Sequence, residues 1–367
     1  MASTLEAAAI CTPGLEPLLM QELEALGQRP KLESAGAVRF RPRLRDLYAA
    51  NVHLRTASRI LLRLGTFRAT DFPHLEERAR EIDWAEYLAD GIAPAFRVST
   101  IKSALYHTEA IAERLHKIAG PAAEEGQQTQ TFVVRFFNDV ASVSVDCSGI
   151  PLNHRPWRTD IGVAPLRPTM AAAMIMGSGW DGSTSLADPF CGSGTIPIEA
   201  AMLARNMPPG GDRSYAFQHW AGFQPGTWGS VKGAAAAMVK PLGDITIEAT
   251  DHDADAIAIV KANAERAGVL DDLTIEQRAI SHLTQNDGPG LIVTNPPYGR
   301  RVGEGDMRDL YTKFGAVVRE RRPQWGVTMV ASDTKLARYA EPNAKPVTSF
   351  GHGGIKVQVL HRPAPAA

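Results

Sequence analysis

Cysteine is scarce in this sequence: 367 residues hold three, Cys11, Cys147 and Cys191. An odd, widely spaced set excludes a disulfide-stapled secreted scaffold and a zinc knuckle, and no metal is expected. No run of about 18 apolar residues occurs, so no membrane span is expected. The first ten residues include Glu6 and lack the basic and apolar regions of a signal peptide, which reads as a soluble, cytoplasmic protein. Charge of one sign is also lacking. Lys and Arg number 39 against 40 Asp and Glu, for a net charge of −1, which argues against a histone-like or tail-driven nucleic-acid binder.

What is present is a packed globular composition, 44% hydrophobic and 22% charged, with a length that suits two or three domains. The charge is segregated. Residues 1–70 carry ten basic and six acidic side chains, residues 71–150 seven and thirteen, and residues 151–170 three and one. A local basic face is therefore compatible with the balanced total. Arg39, Arg41, Arg43 and Arg45 alternate as they would along one side of an extended strand or loop, either a charge-protected edge or a phosphate-contacting face.

The first third mixes element types. Leu15, Leu18, Leu19, Leu23 and Leu26 have helical spacing, residues 37–40 read as a strand, and residues 44–64 contain a second helix with Leu47, Val52, Leu54, Ile60 and Leu61 apolar. Residues 131–137 and 141–146 read as paired strands around Asn138-Asp139. A linker with Pro151, Pro156, Pro165 and Pro168 follows. Beyond it, strands alternate with helices, the signature of a doubly wound α/β sheet.

Three sites on that second half carry chemistry. Asp188-Pro189-Phe190-Cys191-Gly192-Ser193-Gly194-Thr195 follows a strand and opens a helix. It is neither G-x-G-x-x-G nor G-x-x-x-x-G-K-[ST], which disfavours a dehydrogenase and a P-loop. Its acid suits a ligand carrying positive charge, such as S-adenosylmethionine; the plain alternative is a tight strand–helix turn. Asp251 ends the second strand of the sheet, where such folds place an acid on ribose hydroxyls; the plain alternative is a helix N-cap, and both hold together if Asp253 or Asp255 does the capping. His252 beside it reads as a solvent-facing turn residue. Asn295-Pro296-Pro297-Tyr298 ends the fourth strand. The Asn295 side-chain oxygen and the Pro296 carbonyl can both accept hydrogens from a planar exocyclic amine, and Tyr298 offers a face on which a flipped base stacks. A proline-rich turn is the plain alternative.

In this order the three sites resemble the first, second and fourth motifs of class I S-adenosylmethionine-dependent methyltransferases. The Asn-Pro-Pro-Tyr form is similar to enzymes that methylate exocyclic amines of nucleobases. Lys102 to Thr108 with Ile111-Ala112-Glu113-Arg114 resembles a THUMP domain of the bacterial RNA guanine-N2 methyltransferases, and residues 1–65 resemble the ferredoxin-like module that precedes it. Asn153 to Arg158 with Ala164-Pro165-Leu166-Arg167 is similar to that family's linker, and Arg213 to Trp228 to its aromatic insertion.

The resemblance implies α+β and α/β modules: a ferredoxin-like unit (1–65), a THUMP RNA-binding domain (66–150), a linker (151–168) and a Rossmann-like methyltransferase domain (169–367). It implies S-adenosylmethionine as cofactor, held by Asp188, Phe190, Gly192, Gly194, Thr195, Asp251, Pro165, Arg167 and, through its backbone, Ala279. It implies Asn295, Pro296 and Tyr298 at the reacting amine, and Lys102, Tyr106, His107 and Arg114 on structured RNA. Tyr106 is expected to be partly core, while Trp157 and Arg158 contact either the linker or RNA. One departure is the lack of an acid in Gln277-Arg278-Ala279-Ile280, where many class I enzymes contact adenine. The implied reaction is methylation of a guanosine N2 amine, with a layout closest to the ribosomal-RNA branch. A tRNA guanine-N2 enzyme, a DNA adenine-N6 enzyme and an RNA-binding assembly factor without catalysis are the other readings.

Overall fold

The computed structural model describes residues 5–160, 166–297, 304–352 and 355–365. The first half contains β1 (Ala7–Cys11), α1 (Glu16–Ala25), β2 (Lys31–Ser34), β3 (Ala37–Phe40), α2 (Leu44–His53), β4 (Ala57–Arg68), α3 (Phe72–Ala79), β5 (Ala93–Ile101), α4 (Thr108–Ala119), β6 (Thr129–Phe137) and β7 (Val140–Asp146). These strands form a single sheet in the order β2-β3-β1-β4-β7-β6-β5, parallel only between β5 and β6. The part from β2 to β4 is the ferredoxin-like unit. β4 runs through residue 65 and pairs with β1 on one side and β7 on the other, so the segments before and after that residue share one sheet.

Local chemistry explains most of these elements. Leu15 at the N-cap with Leu19 and Leu23 of α1 puts one apolar stripe into the core. The β6–β7 turn is made by Asn138 and Asp139, both with φ near +50° to +63°, the left-handed pair that a two-residue hairpin requires. Two expectations change. Residues 44–64 contain the expected helix, but it ends at His53, and Ile60 and Leu61, grouped with it, lie in β4. Buried apolar side chains alone do not distinguish a helix from a central strand, and pairing with β1 and β7 decides the matter. The alternating arginines do not share one extended segment either. Arg39 is in β3, which is paired on both sides, whereas Arg43 precedes α2 and Arg45 lies inside it.

The second half contains α5 (Pro168–Gly177), β8 (Ser185–Asp188), α6 (Thr195–Ala204), α7 (Pro225–Ala237), β9 (Ile247–Asp251), α8 (Ala254–Ala267), β10 (Leu273–Gln277), β11 (Gly290–Thr294), α9 (Glu304–Arg321), β12 (Trp325–Ala331), α10 (Thr334–Ala340), β13 (Lys345–His352) and β14 (Ile355–Arg362). The sheet order is β10-β9-β8-β11-β12-β14-β13, parallel from β10 to β12, with β14 antiparallel to both neighbours. Strand order reverses between β8 and β11. In open α/β sheets that switch point opens a ligand crevice beyond the carboxyl ends of the strands.

The aromatic insertion before α7 docks the two halves. Phe217 stacks on Tyr48 of α2 with ring centroids 4.2 Å apart, and the Trp220 indole N–H donates to the Gln130 side chain at 2.9 Å. The largest apolar core accordingly runs continuously through both sheets.

Candidate active site

Three strand ends meet at the switch point. Thr294, the last residue of β11, donates its hydroxyl to the Asp188 carboxylate at 2.6 Å. The Gly192 N–H donates to Asp251 at 3.0 Å. These two bonds join the ends of β8, β9 and β11, so the three sequence motifs form one site. Asp188 also accepts from the Phe190 N–H at 3.2 Å, which shapes the glycine turn. Asp251 accepts from the Asp253 N–H at 3.1 Å, and Asp253 in turn caps α8. The Asp251 carboxylate, one oxygen on Gly192 and the other on Asp253, therefore fixes the loop. His252 faces solvent with its side chain 79% exposed, 3.0 Å from Asp251.

The two turn glycines do different jobs. Gly194 has φ +80°, and a Cβ there would lie 2.8 Å from Val260 of α8. Gly192 has φ +52°, but a Cβ would meet no heavy atom of the described residues within 4 Å beyond its chain neighbours. The space over Gly192 is where a ligand can approach backbone closely. Thr195 is buried at the start of α6, and Phe190 packs edge-on against Phe314 of α9 with centroids 5.6 Å apart. Ala279 is half-buried just beyond β10, where the Arg278 N–H donates to the Asp251 carbonyl at 2.7 Å.

Asn295 is half-buried, and its side-chain oxygen is buried without a hydrogen-bond partner among the described residues. A stranded acceptor of this kind costs free energy in the resting protein. Pro296 is buried, and the Pro297 carbonyl accepts from the Tyr311 hydroxyl at 3.4 Å, which anchors the turn. Tyr298 and Pro165 lie outside the described residues. Arg167 is exposed immediately before α5.

Of the RNA candidates, Lys102, Tyr106 and His107 follow the end of β5, and Arg114 lies on α4. Lys102 is exposed in a turn with φ +49°. Tyr106 is 65% exposed rather than partly core, and its ring lies 4.1 Å from that of His107. Arg114 is already engaged, 2.8 Å from Glu76 and over the Phe72 ring. Trp157 is buried and Arg158 donates to the Leu166 carbonyl, so both serve the linker. Sequence reading passed over Thr294 and over Asn263, whose amide binds the Ser193 carbonyl at 3.0 Å and holds the glycine turn against α8. The residue type in front of Asn-Pro-Pro was the available signal for Thr294.

Burial pushes the Asp188 carboxyl up from 3.8 to about 7, nearby Asp251 adds to this, and the Thr294 and Phe190 bonds oppose it. The folded chain therefore holds this proton more tightly than the unfolded chain does. The stabilising contribution is complete below about pH 4 and is lost as pH rises to about 7. Asp188→Asn keeps an oxygen for Thr294 without the charge. Its stability relative to wild type is expected to improve steadily across that window, read from denaturant midpoints at several pH values. A constant difference would remove the assignment.

This site and strand order define a methyltransferase of the class I fold, whose methyl donor is S-adenosylmethionine. Comparison with known proteins agrees. The model of the UPF0020 family, described as RMKL-like, methyltransferase domain, matches residues 155–358, and that of the RlmL ferredoxin-like domain matches residues 6–61. The Bacillus subtilis protein named "Putative RNA methyltransferase YpsC" is 32% identical over 94% of this chain and 92% of its own length. The "Ribosomal RNA large subunit methyltransferase K/L" of Methylococcus capsulatus is 31% identical over 92% of this chain. The match covers 48% of that protein, so this chain spans about half the length of such relatives. The crystal structure of SMU.472 complexed with SAH superposes with a TM-score of 0.90 at 27% identity, covering 100% of both chains. The chain belongs to the UPF0020 RMKL-like methyltransferase family.

Proposed function

We propose that this protein transfers a methyl group from S-adenosylmethionine to the exocyclic N2 amine of a guanosine in 23S ribosomal RNA. The observation that carries the reading is the unpartnered oxygen of Asn295 at the end of β11, beside a crevice whose glycine turn is open to a ligand. The relatives named as ribosomal RNA methyltransferases supply the RNA class.

When bound, the cofactor supplies an electrophilic methyl on a sulfonium. The chain's own residues fit such a group: the space over Gly192, the Asp251 carboxylate for ribose hydroxyls, and the Asp188-shaped turn. Asn295 accepts one hydrogen of the guanine amine, and the Pro296 carbonyl accepts the other. Together they turn the nitrogen lone pair toward the methyl donor. Positioning and complementary charge supply the rate. The methylated amine then releases its extra proton to water, so no strong base is required.

For RNA recognition we assign the THUMP-like segment 66–150, with Lys102, Tyr106 and His107 as contacts. Ile101 and Phe137 extend that surface: they are register partners on β5 and β6, exposed to 52% and 56%. Exposed rings beside a cation suit stacked bases and phosphate.

The test is nucleoside mass spectrometry after incubation with ribosomal RNA and tRNA from a strain lacking the gene. N2-methylguanosine in the large-subunit RNA is expected. Methylation of tRNA alone moves the assignment to tRNA, N6-methyladenosine replaces the base assignment, and failure to bind S-adenosylmethionine favours an assembly factor.

A further inference from the structure

A buried charged junction ties the RNA-binding half to the helix that carries the glycine turn. Glu199 lies one turn inside α6, and its side chain is fully buried. It accepts from the Arg155 Nε at 2.8 Å, while the Arg55 guanidinium approaches its other oxygen at 3.5 Å. Arg155 comes from the linker and Arg55 from the turn between α2 and β4. Arg155 also donates to the carbonyls of Arg55 at 2.9 Å and Leu152 at 2.7 Å. Arg55 donates to the carbonyls of Met202 and Met207 beyond Glu199. On the other side, Glu22 of α1 accepts from the backbone N–H groups of Arg55 and Thr56. One polar cluster thus links α1, the α2–β4 turn, the linker and α6.

Apolar side chains would hold these surfaces together at lower cost, because burying charges sacrifices hydration that pairing only partly restores. Cohesion is already provided by the Tyr48–Phe217 stack and its neighbours. What two guanidinium forks on one carboxylate add is direction. Their planar, divergent donors are satisfied over a narrow range of angles.

We propose that the Arg55–Glu199–Arg155 junction is a positioning device that fixes the orientation of the first sheet relative to the catalytic domain and so selects which guanosine reaches Asn295. The selection step rests on the function proposed above; the orientation step does not.

The test uses the full chain with Glu199→Gln, which keeps side-chain size and removes the charge. Spin labels on α4 and α9 report the distance distribution between the two halves. In the variant this distribution broadens, while S-adenosylmethionine affinity and ribosomal RNA affinity match wild type. Transfer at saturating RNA falls about tenfold through lost orientation, and methyl groups spread to guanosines near the wild-type position. An unchanged distribution overturns the proposal. So does a loss of transfer in proportion to unfolding, with the methylated position unchanged. If Glu199→Gln fails to fold, the double variant Glu199→Met with Arg155→Met removes the carboxylate together with one guanidinium, and the same outcomes apply. A wild-type protein that methylates no RNA removes the functional reading, while the distance measurement still decides the orientation.

Discussion

Asn295→Ala is expected to lower methyl transfer by about 10²–10³-fold while leaving the fold and cofactor affinity intact. The expectation follows from what Asn295 does and does not bind. Its side-chain oxygen is buried and has no partner among the described residues. Truncation therefore strands no donor elsewhere, and it relieves a buried acceptor of its unmet bond. The neighbouring Thr294–Asp188 bond, which organises the glycine turn, does not pass through the Asn295 side chain. Thermal stability should stay at or slightly above that of wild type, a pattern typical of residues retained for activity rather than folding. Single-turnover transfer, cofactor titration and thermal unfolding would be measured on the same preparation. Transfer at the wild-type rate would sink the assignment, and a parallel collapse of stability would show that the residue is structural.

The sequence made the three motifs visible because each is a short run at the end of a strand, where turn glycines, acids and prolines punctuate apolar segments. Their union was not visible. The Thr294–Asp188 bond spans 106 residues and the Gly192–Asp251 bond 59, and no local pattern encodes either. The same limit hid the Arg55–Glu199 pair, 144 residues apart. A glutamate inside the apolar run of α6 is buried only because two arginines from elsewhere meet it. β1 was unread because Ala7-Ala8-Ala9 favours a helix intrinsically, and pairing with β3 and β4 overrides that preference. The aromatic insertion was legible as composition, but its role in docking the halves depends on Tyr48 from a distant helix.

The two glycines of the turn should separate folding from cofactor binding. At Gly194 an alanine meets two costs. The left-handed φ of +80° is strained for any residue with a Cβ, by roughly 1–2 kcal/mol. The new methyl would also sit 2.8 Å from one Val260 methyl and 3.2 Å from the other, an overpacking cost of about 1–3 kcal/mol between α6 and α8. Gly194→Ala is therefore expected to lose several kcal/mol of stability, read as a lower denaturant midpoint at unchanged slope. Gly192→Ala meets only the first cost, because among the described residues no heavy atom beyond its chain neighbours lies within 4 Å of the new methyl. Its stability loss should stay near 1–2 kcal/mol. The methyl, however, projects into the space assigned to S-adenosylmethionine. Cofactor affinity, measured by calorimetry, is expected to fall by more than about tenfold, equivalent to roughly 1.4 kcal/mol, although the fold is nearly intact. Wild-type affinity in Gly192→Ala would place the cofactor elsewhere. A Gly194→Ala protein as stable as Gly192→Ala would mean that α8 yields to the methyl, and that the second glycine is kept for conformation alone.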